Sequence, residues 1–219
     1  MLRVSSGLEN MQDNQQILER ILGMFMRYGI RSMTMDDIAR ELGVSKKTLY
    51  QDFQDKNSLI AQAINFDLSL SQHLVKQVLK PELTAIEEFY QLNGQIHFIR
   101  SRYSETFHYD LKRYMPDTYQ SWLEKRRLSV YTSITHNLKK GKREGVYRSD
   151  LNDSIIGKLY VAKLEMFETS DVIDDHESLS LDFIRELFFY HLHGICNQSG
   201  LIELAQWNAA NKHIQAFKL

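Results

Sequence analysis

Seven consecutive residues, SKKTLYQ at 45–51, concentrate side chains that could contact nucleic acid. Lysine ammonium groups neutralise phosphates or donate to guanine edges, and hydroxyl and amide groups can do either. The candidate donors are Ser45, Lys46, Lys47, Thr48, Tyr50 and Gln51. Val44 and Leu49 are apolar and would anchor the segment from beneath. The segment therefore indicates a short helix that presents hydrogen-bond donors to DNA.

Two residues outside this segment complete the candidate DNA-contacting set. Thr34 can cap the preceding helix, and Lys56 lies at the start of the following one. The first N–H groups of a helix have no partner within it and attract anions. The Lys56 ammonium and these N–H groups could therefore hold one phosphate together.

Two short helices at a fixed angle are needed to hold SKKTLYQ against DNA. Thr34 can cap the first helix, and Asp37 supplies the reciprocal half of a capping box. Ala39 is small where the helices would approach, and Gly43 permits a tight turn into the second helix, which Ser45 can cap. This arrangement predicts a helix-turn-helix, whose second helix enters the major groove. The alternative is a pair of surface helices with solvated lysines, and the spacing alone leaves both open.

The rest of the chain has a helical pattern. Apolar residues recur at helical spacing from Asn14, and Gly29 ends that helix. Further helices are predicted at 56–79, 83–104, 106–114, 117–143, 152–170, 178–197 and 200–214, with breaks at Pro81, Pro116, 141–150 and 170–178. We predict an all-α protein, with an N-terminal three-helix helix-turn-helix domain at 1–55 and a larger helical domain at 56–219.

Composition limits the class of protein. Apolar residues make up 43% and charged residues 25% of the 219 residues, which supports a packed core. The net charge is −1, and residues 1–60 hold eight Lys or Arg and eight Asp or Glu, so DNA contact must come from a local patch. Cys196 is the one cysteine and can form no internal disulfide. No secretory signal or run of about 18 apolar residues is visible, so we expect a soluble cytoplasmic protein.

The stretch TMDDIARELGVSKKTLYQDFQDKNSLI resembles the DNA-binding domain of the TetR family of bacterial transcriptional regulators. The likeness runs without a gap through Thr34, Ala39, Gly43, Val44, the TLY triplet, Phe53, Lys56 and Leu59. Further along, KKGKREGVYRSDLNDSIIGKL looks like the family's passage into its dimerisation helices, and LHGICNQSGL like its final glycine-bounded stretch. Asp52 departs from the family, whose members often have histidine or another phosphate-compatible residue there. A phosphate would repel this carboxylate, so either Asp52 turns aside to pair with a lysine, or the phosphate contact at this position is lost.

The resemblance implies a ligand-responsive regulator, most often a repressor, whose residues beyond about 60 bind ligand and dimerise. Apolar stripes at 152–170 and 178–197 are wide, whereas a helix packed on one side needs a stripe little more than about 100° wide. These stripes favour a homodimer, as a palindromic operator requires. The alternative is that both helices lie centrally in a monomer.

Aromatic residues are dense between 89 and 131 and fall on successive predicted helices. A pocket for a small apolar or amphipathic effector is lined in this way. We assign four residues to ligand binding: Phe98, Phe107, Trp122 and Tyr160. Ordinary core packing is the alternative for each of them.

No catalytic constellation stands out in the sequence. Gly-rich phosphate loops, Gly-x-Ser-x-Gly elbows and His-Glu-x-x-His runs are missing, so we expect no enzyme activity, cofactor or metal site. Glu87 and Glu88, and the KKGKR run at 139–143, are interpreted as solvated helix ends. The alternative function is a helical small-molecule-binding module of the same fold without DNA binding.

Overall fold

A computed structural model describes residues 7–169, 173 and 180–211, and it describes side chains from residue 14 onward within these ranges, except at 167–169. These residues contain ten α-helices. They are α1 (Gly7–Tyr28), α2 (Met35–Leu42), α3 (Lys46–Asp52), α4 (Lys56–Val78), α5 (Ala85–Ser101), α6 (Glu105–Tyr114), α7 (Pro116–Arg143), α8 (Asp153–Thr169), α9 (Leu181–Ile195) and α10 (Gln198–Ala210). Within these residues the extended backbone pairs only at one isolated bridge, between Tyr147 and Cys196. The all-α prediction is confirmed.

Local signals determine the helix boundaries. Gly29 and Gly43 have positive φ angles of 82° and 75° and end α1 and α2, as predicted. Pro116 is the first residue of α7 rather than a break before it, because a helix makes no use of the N–H that proline lacks at that position. The predicted break at 170–178, apart from Ile173, and residues 212–214 of the last predicted helix lie outside the described residues.

The chain divides into two compact units. The first contains the chain through Gln72 together with Arg102–Arg126, and the second contains His73–Ser101 and the chain from Arg127 onward. The whole of α6 and the start of α7 thus pack with the helix-turn-helix. The predicted functional boundary between residues 55 and 56 stays a prediction.

One hydrophobic core joins α1–α4 to α6 and α7 in the first unit. Its buried members include Phe25, Ile38, Leu49, Phe53, Leu59, Phe107, Leu111 and Trp122. The Ser104 hydroxyl donates to the Met26 carbonyl at 3.0 Å. The Arg31 N–H donates to Asp110 Oδ2 at 2.8 Å. These bonds place α6 against the turn between α1 and α2, and so α6 supports the helix-turn-helix.

Two segments of the second unit meet around the Tyr147–Cys196 bridge. The Arg148 N–H donates to the Ile195 carbonyl at 2.9 Å, and the Asn197 N–H donates to the Val146 carbonyl at 3.1 Å. A Cβ atom at Gly200 would lie 2.0 Å from the Val146 carbonyl oxygen. Only glycine allows α10 to approach this backbone so closely.

Replacing Gly200 by alanine is expected to lower the free energy of unfolding by about 1–3 kcal/mol, because the backbone at Val146 must move. Gly194→Ala on α9 is the matched control, since nothing lies within 4 Å of a Cβ there. The control should be stabilised by roughly 0.4–1 kcal/mol. Urea unfolding followed by circular dichroism at one protein concentration measures both. Equal stability of the two variants would contradict this account of the packing.

Two of the charged groups interpreted as solvated are buried in the second unit, so that interpretation is wrong for them. Glu88 is 1% exposed and Lys140 is 8% exposed. Lys140 Nζ lies 2.8 Å from Glu88 Oε2, and the Asn137 amide donates to Glu88 Oε1 at 2.9 Å. Packing of α5 against α7 excludes water from both charged groups. The electrostatic attraction between Glu88 and Lys140 then compensates for their lost hydration.

Candidate nucleic-acid interface

The helix α3 is fixed on α2 by a glycine turn and by apolar side chains beneath it. The Val44 N–H donates to the Ala39 carbonyl at 3.0 Å across the turn at Gly43. Leu49 is 2% exposed, as predicted for an anchor. Val44 is 38% exposed, so its prediction as a second anchor is wrong. Val44 contributes its backbone to the turn, and Phe53, which is 4% exposed, is the second anchor.

All six donors predicted in SKKTLYQ lie on the exposed side of this short helix: Ser45, Lys46, Lys47, Thr48, Tyr50 and Gln51. Ser45 is the N-cap, and its hydroxyl accepts the Thr48 N–H at 3.0 Å and lies 2.7 Å from the Thr48 hydroxyl. The cap therefore engages Ser45 and Thr48 in part. The cap does not involve the side chains of Lys47, Tyr50 and Gln51, which are exposed.

An acidic residue on α2 restrains the first lysine. Lys46 Nζ lies 2.7 Å from Asp36 Oδ1, and the hydrogen bond and charge of Asp36 raise the pKa of Lys46. Lys47 forms no ion pair with another described residue. Asp52 is exposed and also pairs with no lysine in the part of the chain that is described. Sequence reasoning missed the Asp36–Lys46 pair, because this pairing depends on the angle between two helices.

Thr34 and Lys56 are both partly engaged by the protein itself. The Thr34 hydroxyl accepts the Asp37 N–H at 3.1 Å, and the Thr34 N–H donates to Asp37 Oδ2 at 3.1 Å, which completes the predicted capping box. The hydroxyl also donates to Asp37 Oδ2 at 2.6 Å. Lys56 Nζ lies 3.5 Å from the Arg31 carbonyl, and burial lowers the pKa of Lys56. The Asp55 carboxylate accepts the Ser58 N–H at 2.7 Å. One of the N–H groups that could hold a phosphate at the start of α4 is thus already bonded.

Replacing Asp36 by asparagine is expected to strengthen non-specific DNA binding by roughly three- to tenfold, because it frees Lys46 and removes a negative charge that would repel phosphate. The slope of log affinity against log salt should steepen by about one per protomer. Fluorescence anisotropy with a labelled random duplex over a series of KCl concentrations measures both quantities. Glu41→Gln, an exposed acid on the same helix, is the control. Identical slopes for Asp36→Asn and Glu41→Gln would contradict the restraint.

The four predicted ligand-binding residues fall in different units. Phe107 and Trp122 are fully buried in the core of the first unit. Tyr160 is 2% exposed in the second unit, and its hydroxyl donates to Asn93 Oδ1 at 2.8 Å. Phe98, also in the second unit, is 37% exposed. A separate groove of about 540 Å³ lies between α9 and α10, and none of the four lines it.

Neither a metal-binding cluster nor a membrane-spanning helix occurs among the described residues. Within them, no group of three or more His, Cys, Asp or Glu side chains could hold a metal ion. In that same part of the chain, no helix is both long and apolar enough to cross a membrane.

The helix α3 is capped, is braced by α2 and exposes lysine, hydroxyl and amide groups. These features define a helix-turn-helix DNA-binding protein. Residues 17–63 match the model of the family described as bacterial regulatory proteins, tetR family. Residues 17–63 are therefore a DNA-binding domain of the TetR type, and the chain is a DNA-binding transcriptional regulator.

Relatives and solved structures agree with this assignment. An HTH-type transcriptional regulator of Staphylococcus aureus (strain USA300) is 28% identical over 149 residues, covering 56% of this chain and 80% of the relative. A transcriptional regulator from Cytophaga hutchinsonii ATCC 33406 has a TM-score of 0.70 at 15% identity, covering 84% of this chain and 99% of that one. A regulator from Saccharomonospora viridis, solved in complex with choline, has a TM-score of 0.64 at 18% identity, covering 85% and 100% of the two chains. At these identities the structures share the fold.

Proposed function

We propose that the protein is a cytoplasmic, ligand-responsive repressor that binds a palindromic operator as a homodimer. The observation that carries this proposal is the set of exposed donors on α3 above two buried anchors, Leu49 and Phe53. The donors of α3 would read base edges and phosphates in the major groove. The two copies of α3 in a dimer would lie about 34–36 Å apart, one turn of DNA.

Apolar side chains on the outer faces of the last helices support the homodimer. Ile155, Leu159 and Met166 recur on one face of α8 and are 55%, 60% and 47% exposed. Leu181 and Tyr190 on α9 are 45% and 81% exposed. Exposed apolar patches of this kind mark interfaces. The inner faces of the same helices are buried, which accounts for the wide stripes in the sequence.

Leu159→Glu is expected to convert the homodimer to monomers, because it places a carboxylate in the centre of the α8 stripe. Sedimentation equilibrium at several protein concentrations measures the change. Leu128→Glu on α7 is the control, since Leu128 is 64% exposed and lies outside the helices assigned to the interface. A dimer that survives Leu159→Glu would argue against this interface.

An effector bound by the larger helical domain would favour a spacing of the two α3 helices that no longer fits successive major grooves. By linkage, DNA would weaken effector binding by the same factor. The likeness in fold to a regulator solved with choline supports a small-molecule effector. The assignment of Phe98, Phe107, Trp122 and Tyr160 to that effector stays a prediction.

Selection from random duplex DNA with the purified protein, at about 0.1 M KCl, tests the proposal. We expect enrichment of a palindrome whose half-sites are one helical turn apart. A parallel selection with Lys47→Ala/Tyr50→Ala controls for retention through other surfaces. If wild-type protein that is folded and dimeric enriches no DNA sequence, α3 does not read DNA. The alternative of a small-molecule-binding module then gains support.

A further inference from the structure

Three helices of the second unit place five polar or ionisable side chains near one another, three of them buried and two, Lys163 and His191, half-buried. Asn93 and His97 come from α5, Tyr160 and Lys163 from α8, and His191 from α9. Tyr160 contacts three of the others: its hydroxyl donates to Asn93 at 2.8 Å, its ring centroid is 5.1 Å from that of His191, and Lys163 Nζ is 4.0 Å from its ring centroid. His97 lies one helical turn after Asn93 on α5, and the charge of Lys163 acts on it. We call these five residues the inner polar cluster.

Several polar atoms of the inner polar cluster have no hydrogen-bond partner among the described residues. They are Asn93 Nδ2, His97 Nδ1 and His191 Nε2, and each of them is shielded from solvent. Buried polar atoms in folded proteins nearly always have a partner. By contrast, the Glu88 carboxylate and the Lys140 ammonium, in the same unit, bond to each other and to further groups. The unpartnered atoms of the cluster therefore indicate a missing polar group.

The charge of the inner polar cluster is positive. Lys163 pairs with no carboxylate in the described part of the chain; the nearby Glu165 pairs with Arg127. Burial lowers the pKa of Lys163 to about 8, so the ammonium remains its main form at pH 7. Burial, together with neighbouring positive charge, lowers the pKa of His97 and of His191 to about 3. Both histidines are thus neutral, and each can donate one N–H.

Apolar rings surround the inner polar cluster. Phe89 is 1% exposed and stacks on His191 with ring centroids 4.8 Å apart. Phe188, 2% exposed, stacks on Phe89 with centroids 5.7 Å apart. A ligand that reached the cluster would meet the Lys163 ammonium, neutral donors and aromatic surface, and the charge of Arg100, which is 7% exposed, also acts on His97. A cation would be repelled by Lys163, which also argues against a metal bound to the histidine pair.

We propose that the inner polar cluster binds the carboxylate of an amphipathic effector, with Lys163 as its counter-ion and the tail against Phe89 and Phe188. This inference rests on the proposed ligand-responsive function and names the chemical class of the effector. A single carboxylate matches one ammonium and the neutral donors around it.

Isothermal titration calorimetry of the full chain tests the proposal with two carboxylates, decanoate and 4-phenylbutyrate, and with the uncharged amide and the ammonium analogue of each. At least one carboxylate should bind with a Kd at least about tenfold lower than its amide. Lys163→Met should abolish this preference, and Lys163→Arg should retain part of it. Lys158→Met, an exposed lysine changed identically on α8, should bind like wild type.

The thermal stability of the ligand-free variants separates a binding role from a structural one. Lys163 is half-buried and has no carboxylate partner among the described residues, so Lys163→Met should leave Tm equal to or above that of wild type and of Lys158→Met. A lowered Tm would mean that Lys163 holds the fold together. That result, tighter binding of the ammonium analogues, or no saturable carboxylate binding up to about 1 mM, would overturn the proposal.

Operator binding distinguishes failure of this inference from failure of the proposed function. If operator DNA is released by an uncharged or cationic compound while carboxylates do not bind, the repressor stands and the carboxylate site is wrong. If a carboxylate binds through Lys163 but leaves operator affinity unchanged, the site stands and ligand-responsive repression is wrong.

Discussion

Alanine at both Lys47 and Tyr50 is expected to weaken specific operator binding by at least about a thousandfold. Each base or phosphate contact of this kind contributes roughly 1–3 kcal/mol, and a homodimer loses the contacts twice. Lys47 is the stronger of the two lysine candidates, because Lys46 is paired with Asp36 at 2.7 Å. Tyr50 is 44% exposed on the same helix, so its removal should leave the fold intact. Anisotropy titrations with the selected operator at fixed salt measure the loss.

Two further variants define how each residue acts. Tyr50→Phe keeps the ring and removes the hydroxyl, so it separates hydrogen bonding from apolar contact with a thymine methyl group. Lys139→Ala, an exposed lysine of the second unit, controls for the loss of one positive charge. If the Lys47→Ala/Tyr50→Ala protein binds operator as tightly as Lys139→Ala does, α3 is not the reading helix.

Methionine at Lys140 is expected to lower the free energy of unfolding by about 3–5 kcal/mol, because it leaves the Glu88 carboxylate buried without its counter-ion. Glu88 would retain the amide of Asn137 at 2.9 Å, which does not offset the loss of a charge. Such a loss is a large fraction of the stability of most folded proteins. Guanidinium unfolding at one protein concentration measures it.

The neighbouring residue provides the matched control. Lys139 is exposed, so Lys139→Met should change stability by less than about 0.5 kcal/mol. Glu88→Gln/Lys140→Met removes both charges, and most of the stability lost in the single variant should return. If Lys140→Met is no less stable than Lys139→Met, the buried ion pair does not stabilise the second unit.

Local sequence signals were sufficient for the helices and for the outline of the DNA-contacting set. The Thr34–Asp37 capping box, the glycines at 29 and 43 and the Ser45 cap act within a few residues, so their effect could be predicted without knowledge of the fold. The exposure of the donors on α3 followed from the position of Leu49 in the same helix. The family resemblance rested on the same continuous stretch, and the match of residues 17–63 to the family model confirmed it.

Tertiary structure alone decided which charges are buried and which helices share a core. The Asp36–Lys46 and Glu88–Lys140 pairs join separate helices, so neither follows from spacing along the chain. Phe107 and Trp122 have the composition of a pocket lining, yet they pack in the core beneath the helix-turn-helix. The inner polar cluster likewise combines residues from three helices. The sequence by itself determined the helices and the recognition surface because those depend on neighbours in the chain, whereas pairing and burial depend on the angles at which the helices pack.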